Sequence, residues 1–153
     1  MPEPPRTGER YPMPVSLRRT YRFCCSHRYH NPRLSAEENQ RLFGKCNYAH
    51  GHGHNYELVV VLGPGVPDPA TGMLFDLAEL DRRVSAVILE PFDHRHLNLD
   101  IPHFADVIPT TEEIARYAFE ELDRVLPARL LRGVVVREDE SLAAECMRPP
   151  ERG

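Results

Sequence analysis

Residues 15–27, VSLRRTYRFCCSH, place Val15, Leu17, Tyr21, Phe23, Cys25 and His27 on alternate positions, with only Arg19 interrupting the row. A period of two puts these side chains on one face of an extended strand, so a strand with a single apolar face is expected here. The row ends in a histidine. His27 is therefore expected to point into the interior from the end of a strand.

The rest of the chain is arranged to cover that face. SAEENQRLF predicts a short helix opening at Ser35. YELVVVL, residues 56–62, predicts a second strand, closed by the turn-rich GPGVPDPATG. Asp76, with Glu79 as its capping partner, opens a helix whose apolar stripe is Leu77, Leu80, Val84 and Val87. A second helix starts near Thr110 or Thr111, runs to about residue 126, and turns Ile114, Ala118, Leu122 and Val125 inward. Two late strands, 131–138 and 141–147, meet at a tight turn around Asp139 and Glu140. Strand, excursion, strand, two helices and hairpin predict an α+β fold: a four-stranded antiparallel sheet with both helices on one face. Such a sheet has two open edges, which a neighbouring copy would complete, so an oligomer is expected. The proline-rich residues 1–14 read as a flexible tail and 15–153 as one domain.

A formal charge of −4 argues against broad binding to nucleic acid or anionic membrane, but leaves room for a small anionic substrate in a local basic pocket. Cys24, Cys25, Cys46 and Cys146 form neither a CxxC pair nor a disulfide framework. With no signal-like or membrane-spanning apolar run, a reducing, cytoplasmic setting is expected.

GKCNYAHGHGHNY, residues 44–56, carries His50, His52 and His54 at two-residue spacing. In extended chain, residues i and i+2 share a side, so two of these can grip one ion while Gly51 and Gly53 leave room for close approach. His27 would supply the third imidazole, which suits a zinc site with one open position. His54 abuts the second strand and His52 is its same-face partner, which leaves His50 as the spare. A histidine-rich loop that traps metal weakly is the competing reading. Cys46 is open to three readings: a fourth ligand in a closed Cys-His₃ site, a buried apolar residue, or a thiol of lowered pKa beside the ion that acts as a base. Asp93-His94, in FDHRHLN, is either a carboxylate-oriented base or a surface charge pair at a helix end.

FCCSHRY, GKCNYAHGHGHNY, TGMLFDLAEL, FDHRHLN, PTTEEIA and VVREDESLAAEC, in this order, resemble the motifs of the 6-pyruvoyltetrahydropterin synthases over roughly Val15 to Met147. The resemblance implies the tunnelling fold, with subunit sheets joined into a barrel in hexamers of two trimers. It also implies Zn²⁺ on His27, His52 and His54, with Cys46 as catalytic cysteine and His94 as catalytic histidine with Asp93 as its acidic partner. It further implies a pterin triphosphate substrate anchored by Glu138, with Thr110, Thr111 and Glu112 contributing. Thr110 with Glu113 also reads as a capping box.

Two other functions stay open in the sequence. Cys46 to His52 also satisfies the Cys-x₃-His-Gly-His spacing of the related 6-carboxytetrahydropterin synthases of queuosine biosynthesis, which release acetaldehyde. The surplus His50 creates this overlap. A non-catalytic zinc-binding protein is the alternative from another class.

Overall fold

The computed structural model describes residues 13–150. The proline-rich tail expected over 1–14 therefore lies almost wholly outside the described residues.

The alternating row forms β1, Val15–His27, with Tyr21, Phe23, Cys25 and His27 buried and the intervening residues facing out. β2 runs His52–Gly65, longer at both ends than the seven-residue apolar run predicts. Its extension at the start carries His52 and His54 onto the strand, because their backbone pairs with His27 and Cys25 of β1. β4, Leu131–Arg137, and β5, Ala143–Met147, form the expected hairpin. Asp139 closes it by accepting from the Ser141 N–H at 2.7 Å and the Leu142 N–H at 3.0 Å, an Asx turn.

The expected four-stranded antiparallel sheet is corrected in one respect. A two-residue strand, β3 (Arg95–His96), pairs parallel to Cys25 and Ser26 of β1 and makes the sheet mixed, in the order β3-β1-β2-β4-β5. Two residues carry no periodicity, so β3 left no mark in the sequence. It follows the Asp93-His94 turn and fastens that turn to β1.

Helix α1, Ala36–Phe43, begins at a full Ser35–Glu38 capping box and leads into a 3₁₀ turn, Gly44–Asn47, that carries Cys46. Helix α2, Leu77–Val84, passes through a π turn, Ser85–Leu89, into α3, Glu90–Phe92. Two single-turn helices, α4 (Leu97–Asp100) and α5 (His103–Asp106), precede the long α6, Thr111–Val125. Asp76 caps α2 by accepting from the Glu79 N–H at 3.0 Å. The Glu79 side chain turns instead to Arg83, 2.6 Å away, and Leu77 is solvent-exposed. α6 packs on β4 and β5, α3 on β1, and α2 against α6, so the main helices share the sheet face that β1 buries. Leu80, Val84, Ile88, Ile114, Ala118 and Leu122 meet Phe23, Leu58 and Val60 in that core. No helix among the described residues is long and apolar enough to cross a membrane.

Candidate metal centre and its surroundings

The β1–β2 register assembles the centre. His27 sits opposite His52, and His54 lies one same-face step farther along β2, opposite Cys25. Cross-strand and diagonal neighbours on one face are within side-chain reach. One ligand atom from each of His27, His52 and His54 comes within 4.8 Å of the others. His27 Nε2 and His52 Nε2 are 3.3 Å apart. Two nitrogens about 2.0–2.1 Å from one zinc at a tetrahedral angle stand about 3.3 Å apart, so this pair already has the edge of a zinc site. His54 Nε2 is buried without a hydrogen-bond partner, as expected of a ring arranged for something other than protein; the unpartnered nitrogen of His52 is Nδ1, the one that does not face His27. The donor set fits a zinc-class cation.

Electrostatics agree. Burial, followed by the neighbouring His52 and His54, lowers His27 to about 3, and burial also lowers His52. Neutral imidazoles are the form a metal requires. Gly51 permits the approach of chain to ring. Its φ of +73° is left-handed, and a side chain there would meet His96 Nε2 at 2.7 Å and the His27 carbonyl at 2.8 Å. His50 is exposed, its ring against Tyr48, and it stands outside the cluster.

A carboxylate forms the floor of the centre. Glu138, just past β4, is 7% exposed, although its element is the rim of a hairpin. Its Oε2 accepts from Thr111 Oγ at 2.6 Å and, at the outer limit of a hydrogen bond, from Tyr56 Oη at 3.5 Å. Its Oε1 is 3.1 Å from His54 Nε2, a close approach that makes no hydrogen bond. Tyr56 Oη also lies 3.1 Å from His27 Nδ1. With the His27 proton on Nδ1, that N–H donates to Tyr56, whose hydroxyl donates to Glu138, and Nε2 is left facing the cluster. Tyr56 was not singled out from the sequence. Its place in the same-face series His52, His54, Tyr56 was the available signal.

Among Thr110, Thr111 and Glu112, only Thr111 reaches Glu138. Thr110 caps α6 by accepting from the Glu113 N–H at 3.3 Å, and Glu112 is exposed on the first turn.

Cys46 is half-buried on the 3₁₀ turn, whose carbonyl accepts the Tyr29 N–H at 2.8 Å. It is not among the converging ligand atoms. Beside it a cleft of about 520 Å³ opens between Gln40, Gly44, Lys45, Tyr48 and His52. Burial first, then the charge of Glu138, raises the Cys46 thiol above its ordinary value. Protein groups alone therefore push it opposite to the lowering expected of a base beside an ion.

Asp93 and His94 are bonded directly, Oδ2 to Nδ1 at 3.0 Å. Sequence neighbours seldom manage this; His94 does so by adopting φ 59°, a left-handed conformation costly for a residue with a Cβ. The pair lies beside Cys24, whose side chain leaves β1 on the face opposite Cys25 and His27. Within one chain the structure does not bring His94 to the histidine cluster.

Residues 16–149 match the model of the 6-pyruvoyl tetrahydropterin synthase family. The chain is 46% identical over 127 residues to human 6-pyruvoyl tetrahydrobiopterin synthase, covering 83% of this chain and 87% of that one. It is 33% identical over 108 residues to the Dictyostelium discoideum enzyme of the same name, covering 71% and 78%. The solved structure of Caenorhabditis elegans 6-pyruvoyl tetrahydropterin synthase superposes with a TM-score of 0.84 at 38% identity, covering 92% of this chain and all of that one. A tunnelling-fold sheet with convergent imidazoles defines a pterin-synthase class of lyase. The chain belongs to the 6-pyruvoyl tetrahydropterin synthase family.

Proposed function

We propose that this chain is a zinc-dependent 6-pyruvoyltetrahydropterin synthase that takes 7,8-dihydroneopterin triphosphate and eliminates triphosphate. The observation that carries the proposal is the β1–β2 register, which converges His27, His52 and His54 beside a buried carboxylate.

His27, His52 and His54 would hold the zinc, which when bound supplies Lewis acidity toward the hydroxyls of the substrate side chain. Glu138 accepts two parallel N–H bonds from the amidine edge of the pterin, and Thr111 holds the carboxylate for it. Thr110 and Glu112 flank that pocket at the start of α6. Cys46, as thiolate, removes a carbon-bound proton from the side chain. The electron pair moves toward the ring, so the ring is reduced as the side chain is oxidised and no outside redox partner is needed. His94, oriented by Asp93, carries protons on the other face of the substrate. Triphosphate then leaves as the anion.

The position of His94 favours an assembly in which one chain's His94 and Asp93 serve another chain's metal centre. Most of the outer edge of β1 and all of that of β5 are unpaired among the described residues, which suits sheets joined into the barrel of a hexamer of two trimers. The 6-carboxytetrahydropterin synthase register is less well supported, because it needs His50, and His50 faces solvent. Four free thiols suit a reducing, cytoplasmic setting.

The test is Cys46→Ala. The variant is expected to retain its zinc and lose about 10²–10⁴-fold in turnover. Loss of zinc would make Cys46 a ligand, and unchanged turnover would remove it from the chemistry.

A further inference from the structure

On the sheet face turned away from the histidine cluster, Cys24, Asp93 and His94 form a second group in which one ligand atom from each lies within 4.8 Å of the others. The group is built, not incidental. The Cys24 N–H donates to Asp93 Oδ1 at 2.9 Å, and the Cys24 carbonyl accepts the His94 N–H at 2.6 Å. These two backbone bonds clamp the Asp93-His94 turn to Cys24, and the left-handed φ of His94 aims its ring back toward Asp93. Strand alternation puts the Cys24 thiol on the same face as the pair, since its neighbour Cys25 is the buried one. Cys24 and His94 line one open cleft of about 570 Å³ together with Ser26, His54, Asn55 and Asp100, and Asp93 joins them through its contacts with Cys24 and His94.

We propose that Cys24, Asp93 and His94 form a second, exchangeable site for a zinc-class divalent cation. One thiolate, one imidazole and one carboxylate are a donor set that a borderline-soft ion prefers, with solvent at the fourth position. Separations within 4.8 Å need only small side-chain rotations to meet metal–ligand distances near 2.0–2.3 Å. Binding releases the Cys24 thiol proton to solvent and takes the Asp93 carboxylate away from His94. Occupancy at this site therefore removes a proton carrier, and excess zinc inhibits the enzyme. This inhibitory consequence rests on the proposed role of His94; the binding itself does not.

The experiment is to load the full chain with one equivalent of zinc, then titrate with Co²⁺ and follow the thiolate-to-cobalt charge-transfer absorption. The wild-type chain is expected to show this band as a second cation binds. Cys24→Ser should abolish the band and Cys46→Ala should keep it, while His94→Ala weakens binding at least tenfold without disturbing the zinc already bound. No band in the wild type, or a band that survives Cys24→Ser, overturns the proposal. A band lost only in Cys46→Ala assigns the thiolate to the other site and overturns it as well. Turnover under excess zinc is read separately: a Cys24→Ser enzyme as zinc-sensitive as the wild type overturns the inhibitory role.

Discussion

Tyr56 links the two halves of the centre through a single hydroxyl, 3.1 Å from the His27 ring and 3.5 Å from Glu138. An outer partner of this kind fixes the tautomer and aim of a metal-binding imidazole, and removing it costs about 10–100-fold in metal affinity. Tyr56→Phe keeps the ring that stacks on Phe23 at 5.3 Å, so packing is spared and only the hydroxyl is tested. Zinc affinity measured by chelator competition is expected to fall by that factor while the melting midpoint of the metal-free protein stays close to wild type. Unchanged zinc affinity would show that the hydroxyl does not orient His27. The same residue shows what sequence reading misses. His27, His52 and His54 were legible because period two and a two-residue spacing are visible in one dimension. Tyr56 read as an ordinary aromatic at the start of a strand, and its role depends on where Glu138 returns from the far hairpin.

At the scale of elements, β1 is tied to α2 by a cluster of polar groups at the edge of the core. Arg19 and Tyr21 both donate to Asp81, at 2.7 Å and 2.8 Å. The Arg19 hydrogen bond is the main cause that holds the Asp81 carboxyl below its usual value; burial is next and opposes it, and the Tyr21 hydrogen bond adds to the lowering. A carboxyl depressed on folding stabilises the fold above its unfolded pKa, near 3.8, and that contribution is lost as pH falls through the lower folded value. Asp81→Asn is therefore expected to melt slightly lower than wild type at neutral pH, by an amount that solvent screening keeps small. The two melting midpoints should converge as pH drops below about 3.8. A gap independent of pH would mean that packing, not charge, explains the effect. Elements with strong periodicity, β1, α6 and the β4–β5 hairpin, were legible with nearly their observed bounds. β3, the π turn and the single-turn helices were not, because elements of two to five residues contain too few positions for a period. Their placement follows from chain connectivity and from backbone bonds such as His94 N–H to the Cys24 carbonyl.

At the scale of the molecule, one copy of the chain separates residues that the proposed chemistry needs together. The histidine cluster belongs to the core-side end of β1 and β2 and Cys46 to the 3₁₀ turn that precedes β2, whereas Asp93 and His94 lie beside Cys24 on the opposite face of β1. Sequence alone could place all of these residues in one catalytic set but could not say that one copy leaves them apart, since strand sidedness appears only once the register is known. The proposed assembly makes a direct prediction. Cys46→Ala and His94→Ala chains, each inactive alone, should recover part of wild-type turnover when unfolded together and reassembled, because some centres then combine an intact Cys46 with an intact His94. No recovery in assembled mixtures would place both residues in the same chain's site.

The product formed by the zinc-loaded wild-type chain from 7,8-dihydroneopterin triphosphate, identified by mass, tests the proposed activity most directly. The expected result is a tetrahydropterin that retains all three side-chain carbons, formed with one triphosphate released. A carboxylated pterin with acetaldehyde, or intact substrate, would contradict it.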